Sequence, residues 1–183
     1  MLYKTKLIRI IWNYEASLTM NLSSTLLFLS SLSCTLVTGF IFTYAVIVMP
    51  GLSKLGDKEF LRAFQVTDEV IQNNQPLFML TWVGSIISVI GLIASLLISV
   101  GLIEAWPIIS LGIVYLLGVQ GITILVHLPL NNRIQKLKID ELDDKSVNEH
   151  RIKFENRWNY YNNIRTVISF LVSIMFLLII TSK

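Results

Sequence analysis

The chain has 183 residues, of which 54% are hydrophobic and 15% charged, with a formal net charge of +3 and a mean hydropathy of +0.65. That balance excludes an ordinary soluble domain, which carries more charge and less apolar surface. The one cysteine, Cys34, excludes an intramolecular disulfide and any CxxC pair, and with them the four-helix membrane oxidoreductases that exchange disulfides with quinones.

Taken in chain order, residues 1–20, "MLYKTKLIRIIWNYEASLTM", form a basic N-terminal extension with no small-residue cleavage site after it. It is expected to be an interfacial helix, or a product of start-codon choice, because Met20 opens a self-sufficient first span. Four stretches are then apolar over the roughly 20 residues a bilayer requires: 22–49, 77–102, 107–126 and 164–181. None contains Asp, Glu or Lys. A soluble four-helix core would need a polar face on each helix, and these are apolar around the whole circumference. The lipid bilayer is therefore the expected partner, and the spans can only satisfy one another, so one domain over 21–183 is expected.

The connections are unequal. Residues 50–76 and 127–163 are long and polar, whereas the second and third spans are joined by a bare turn, so both long loops lie on one side. In the first loop Pro50-Gly51 reads as a helix stop and Asp57 as an N-cap. Phe60, Phe64, Thr67 and Ile71 then recur at helical spacing, predicting a short amphipathic helix in the interface or over the bundle mouth. Pro76 opens the second span at the tolerated first-turn position. In the second loop Pro129 is expected to break the third span, and Ser146-x-x-Glu149 is a capping-box signature. From Ser146 to Lys183 there is no Gly or Pro, which predicts one long helix running into the fourth span. It would carry Arg151, Phe154, Trp158, Tyr161 and Arg165 on one face, with Glu155, Asn159 and Asn162 on the neighbouring one. The fold class is all-α: an integral membrane four-helix bundle with two long loops on one side, each carrying an amphipathic helix. Eleven of the 15 basic residues flank the long loops, so the positive-inside rule puts these in the cytoplasm and both termini outside.

Polar side chains gather at the long-loop end. Gln120, Thr123 and His127 step by three and four and share a face, and a Gln inside hydrocarbon needs a partner. Interhelical glue is the plainer role for Gln120, and a headgroup-level hydrogen bond competes with a functional role for His127. Trp82, Trp106, Trp158 and the tyrosines fit an aromatic interface belt, and the basic loop residues fit a lipid-facing surface. With only His127 and His150 and no ligand spacing, no metal site is expected. There is no P-loop, no GxGxxG and no triad order, so no cofactor is indicated and no nucleic-acid partner is expected.

Four stretches, "TGFIFTYAVIVMPGLSKL" (38–55), "FQVTDEVIQNNQPLF" (64–78), "HLPLNNRI" (127–134) and "RWNYYNNIRTVIS" (157–169), resemble the anthrone oxygenase-like family of small four-span membrane proteins, most members of which are a domain of unknown function. The resemblance implies an oxygenase acting on an anthrone- or quinone-like aromatic without a tightly held organic cofactor. His127 stands where the family often has Asn, and Asn162 where it often has His. On that reading His127, Arg165 and Asn162 are the catalytic candidates, with Asn73, Asn131 and Trp158 binding substrate and Tyr44 and Trp82 lining an apolar floor. His127 would take a proton, since an ordinary imidazole is mostly neutral at pH 7, and Arg165, whose guanidinium keeps its charge, would hold a developing anion. Two other classes compete: a non-catalytic membrane subunit whose amphipathic loops dock a partner, and a small transporter, for which the far half of the bundle offers almost no polar route.

Overall fold

A computed structural model describes the backbone of residues 2–182 and the side chains of 22–182, so the expectation for the extension 1–20 lies outside the described residues. The four expected spans are four helical rods. The first joins α1 (Leu2–Thr43), a π-helical turn over Tyr44–Val48 and α2 (Met49–Leu52). The amphipathic α3 (Asp57–Gln72) follows, then the second span, α4 (Pro76–Ser99). The third joins α5 (Leu102–Tyr115), π-helical stretches over Leu116–Gly121 and Thr123–His127, and α6 (Leu128–Gln135). After a 3-10 turn at Ile139–Glu141, α7 (Asp144–Thr181) supplies the fourth span. The chain is a four-span membrane bundle with both long loops at one end.

Several boundaries differ from the sequence reading, each for a local reason. Neither Pro50 nor Pro129 stops its helix, and each lies in the first two positions of a helical segment preceded by π-helical geometry. The wider turn changes which carbonyls are engaged upstream and relieves the clash a proline ring makes with the residue four back. The third rod therefore runs to Gln135 instead of ending at Pro129. It also begins at Leu102, five residues before Pro107, because Gly101 turns the chain with φ 91, a conformation side chains disfavour. In the loops, Gly56 precedes α3, so Asp57 is its first residue rather than its cap. Asp143 caps α7, accepting from the Ser146 N–H at 2.8 Å and the Ser146 hydroxyl at 3.0 Å. The capping residue thus stands three places before the one expected.

Apolar attraction between helices is weak when the solvent is itself apolar, so small and hydroxylated residues carry much of the packing. Ser23 meets Ser95 at 2.7 Å and Ser33 meets Ser88 at 3.1 Å between α1 and α4. Thr38 meets Ser173 at 2.9 Å between α1 and α7. At the loop end the core changes character: Phe60, Leu61 and Phe64 of α3 are buried with Ile134, Val147, Phe154 and Trp158. The apolar face of α3 is thus covered by this chain's own α6 and α7. Arg151 of α7 pins the preceding turn, donating to the carbonyls of Ser53 and Leu55 and pairing with Asp57, all at 2.8 Å.

Candidate functional site

Toward the short turn α4 packs on α5. Toward the long loops a cavity of about 350 Å³ opens between α4, the third rod and α3. Its walls are aromatic. Phe40 and Tyr44 come from the first rod, Phe64 from α3, Phe78 and Trp82 from α4, and Trp158 from α7. Phe78 and Trp82 stack with centroids 5.2 Å apart, Phe40 lies 5.0 Å from Phe78, and Tyr44 lies 5.6 Å from Trp158. Fixed ring faces on several sides suit a flat, apolar guest. The rim includes the outward-facing Ile124 and Leu128 of the third rod, 53% and 44% exposed, and Asn74 at the loop end.

The polar equipment within this aromatic box is sparse. Arg165 is 4% exposed, yet pairs with no described carboxylate. Its Nε donates to Asn162 Oδ1 at 3.0 Å and its Nη1 to Thr123 Oγ1 at 2.9 Å, both neutral acceptors. Its guanidinium carbon lies 5.9 Å from the Trp82 ring centre and 5.7 Å from that of Trp158, so two π faces supply part of the missing negative potential. His127, 2% exposed, stands edge-on to Trp158 with centroids 5.1 Å apart. Neither of its ring nitrogens has a hydrogen-bond partner, nor does Gln120 Oε1. The Gln120 amide nitrogen does bind across helices, to Ser85 of α4 at 3.2 Å, as expected of interhelical glue, and to Tyr115 at 3.0 Å.

At the loop end Asp68 of α3 lines the same cavity and is 3% exposed. Its Oδ1 accepts from Asn131 at 2.6 Å, and its Oδ2 from Gln72 at 2.7 Å and Gln135 at 3.1 Å. Burial raises the pKa of its carboxyl, against the lowering influence of those three amides. Asn131 also accepts from the Trp158 indole at 3.0 Å, and so ties the loop helix to the fourth span.

Of the expected site residues, Tyr44, Trp82, His127, Asn131, Trp158 and Arg165 all line this one cavity. Asn162 stands behind it, fully buried, linking Arg165 to the Ile41 carbonyl of α1 at 3.3 Å. Asn162, assigned to the neighbouring face, is in fact buried on the inward seam of α7 with Phe154, Trp158 and Arg165, while Tyr161, Glu155 and Asn159 are only half-buried. Asn73 is exposed at the end of α3 and stays outside; the next residue, Asn74, also exposed and with a φ of 57, lines the cavity mouth instead. Arg165 lies well inside α7, which runs from Asp144 to Thr181. Phe40, Phe78 and Asp68 were missed. Asp68 had a signal, the step of four from Phe60 and Phe64, whereas Thr67, chosen for that face, is exposed. Among the described residues, no three of His, Cys, Asp and Glu gather as a metal ion would require.

A search of curated proteins and of solved structures finds no match. The sequence model of the anthrone oxygenase family matches residues 71–175, more than half of the chain and the part that contributes α4, the third rod and the membrane entry of α7. The chain, a membrane-embedded oxygenase-like protein, belongs to the anthrone oxygenase family.

Proposed function

We propose that the protein oxidises a flat, apolar, enolisable aromatic ketone of the anthrone type in the aromatic cavity. The observation that carries this reading is Arg165: a buried guanidinium bonded only to neutral groups, beside the buried His127 imidazole. A buried cation without a counter-ion is costly and suits a guest that becomes an anion. Tyr44, Trp82 and Trp158 hold the ring system, and Asn131, which fixes the Trp158 indole, sets its edge. His127 takes a proton from the methylene carbon, the electron pair moves to the carbonyl oxygen, and Arg165 holds the enolate, oriented by Asn162.

Dioxygen is the oxidant. The enolate carbon forms a bond to one oxygen atom, giving a hydroperoxide after protonation. Loss of the second hydrogen from that carbon, with cleavage of the O–O bond, leaves a second carbonyl and releases water. One dioxygen is consumed per methylene oxidised, and its two atoms end in quinone and water.

The test is purified protein in lipid nanodiscs with an anthrone under ¹⁸O₂. The expected product is the quinone carrying one labelled atom, at a rate above the spontaneous reaction. Product formation no faster than in empty nanodiscs overturns the proposal. The long loops are proposed to face the cytoplasm, because 11 of the 15 basic residues flank them. A cysteine at Ser146 in a Cys34-free variant should then resist impermeant thiol reagents in intact cells, and ready labelling there reverses the orientation.

A further inference from the structure

A second concavity, of about 300 Å³, lies between α6 and α7 and shares no lining residue with the aromatic cavity. Its floor includes the buried Ile134 and Phe154, and its walls carry Arg133 from α6 with His150, Lys153 and Arg157 from α7. The three from α7 step by three and four residues and form one stripe. No acidic residue lines the cleft. Lys153 has Glu149 nearby at 3.7 Å, but Arg133 and Arg157 have no ion pair with any described residue, and Arg157 lies only over the Tyr161 ring at 6.0 Å. Elsewhere at this end Lys58 and Arg62 pair with Asp140, Lys138 with Glu141 and Arg151 with Asp57 and Glu155, and the cations left without an ion pair among the described residues, Lys54, Lys136 and Lys145, are exposed and line no cleft with Arg133 and Arg157.

Depth completes the argument. Tyr160, 63% exposed, sits three positions beyond Arg157, and outward-facing apolar residues resume at Val167, Phe170 and Leu171. An exposed tyrosine above an apolar band marks the membrane interface, so the cleft lies at the level of lipid phosphates. Two unpaired guanidiniums beside one cleft at this depth suit a phosphate headgroup.

We propose that this cleft seats the phosphate headgroup of an anionic bilayer phospholipid. The site is independent of the aromatic cavity and of the reaction assigned to it.

The test compares spin-labelled phosphatidylglycerol and phosphatidylcholine for association with the full chain in nanodiscs. The wild type should prefer phosphatidylglycerol. At about 1 kcal/mol per basic residue, the preference should fall by at least about tenfold in the double variant Arg133→Gln/Arg157→Gln. Lys136→Gln/Lys145→Gln removes the same charge from exposed positions outside the cleft and should keep the preference. Thermal unfolding of both variants shows that each remains folded. No preference in the wild type, or equal loss in the two double variants, overturns the proposal, the latter assigning it to diffuse surface charge. Displacement of the labelled lipid by inorganic phosphate also overturns it, in favour of a free-anion site.

Discussion

Asp68 and Arg165 are two buried charges lining one cavity, and the chain treats them in opposite ways. Asp68 receives three amide donors spread over both carboxylate oxygens, from α3 itself and from α6. Arg165 has two neutral acceptors and the faces of two indoles. Every removal of a charge from water has to be compensated locally. For the carboxylate, protein dipoles provide part of the compensation. For the guanidinium they leave room for another group. On the proposed function, the difference separates a joint that holds the loop helix down from a position kept for a ligand, although both side chains are almost equally inaccessible.

Variants can break that comparison at either charge, and the largest effect is expected on turnover. Arg165→Gln and His127→Ala should each lower the anthrone-oxidising rate by about 10²-fold or more, the scale for a lost anion-stabilising or acid–base group. Arg165→Gln should at the same time raise thermal stability by on the order of 1 kcal/mol, because an uncompensated buried charge is removed. Lower stability with unchanged turnover would make Arg165 the joint and refute the distinction.

The opposite pattern is expected at the carboxylate. Asp68→Ala leaves the amides of Gln72, Asn131 and Gln135 without their acceptor, and should destabilise the protein by about 1–3 kcal/mol in thermal or chemical unfolding. Stability equal to the wild type would show that the amides find water instead.

A smaller effect sharpens the same point through pH. Burial raises the Asp68 pKa above its ordinary value, so the folded protein binds the proton more tightly than the unfolded chain. Its contribution to stability is therefore fully present below the ordinary aspartate range and is lost as pH rises through the raised value. Asp57 and Asp143 are shifted downward by their hydrogen bonds; their contributions run the other way and are lost on acidification. The measurement is the difference in unfolding temperature between wild type and Asp68→Asn, which cancels those two. Relative to the variant, the wild type should weaken from about pH 4 toward neutrality, a window that starts at the ordinary aspartate pKa. A difference that is flat in pH, or of the opposite sign, would show that the amides outweigh burial.

Much of the site was legible before any coordinates because polar residues within apolar spans are few. Gln120, Thr123 and His127 stood out against hydrocarbon neighbours, and helical spacing placed them on one face, where all three are now buried. In the loops polar residues are ordinary and single out nothing. Asp68 and Asn74 looked like any loop residues, and the correct phase of α3 had to be distinguished from one in which Thr67 faced inward. Asn162 was assigned to the neighbouring face of α7 because spacing within one helix does not say which stripe its neighbours will cover.

The sequence by itself determined that this chain lives in a membrane, crosses it four times, carries its long loops at one end and concentrates its polar side chains there. Those properties follow from hydropathy and segment length, which are local and add along the chain. Tertiary structure alone decided that Asn131 joins Asp68 to Trp158, that Asn162 backs Arg165, and that the third rod continues through Pro129. The first joins three helices, the second is a contact within α7 that the Ile41 carbonyl of α1 and Thr123 of the third rod hold in place, and the third depends on a change of helical pitch upstream of the proline. Pattern within a single helix fixes which residues share a face, but not what that face meets.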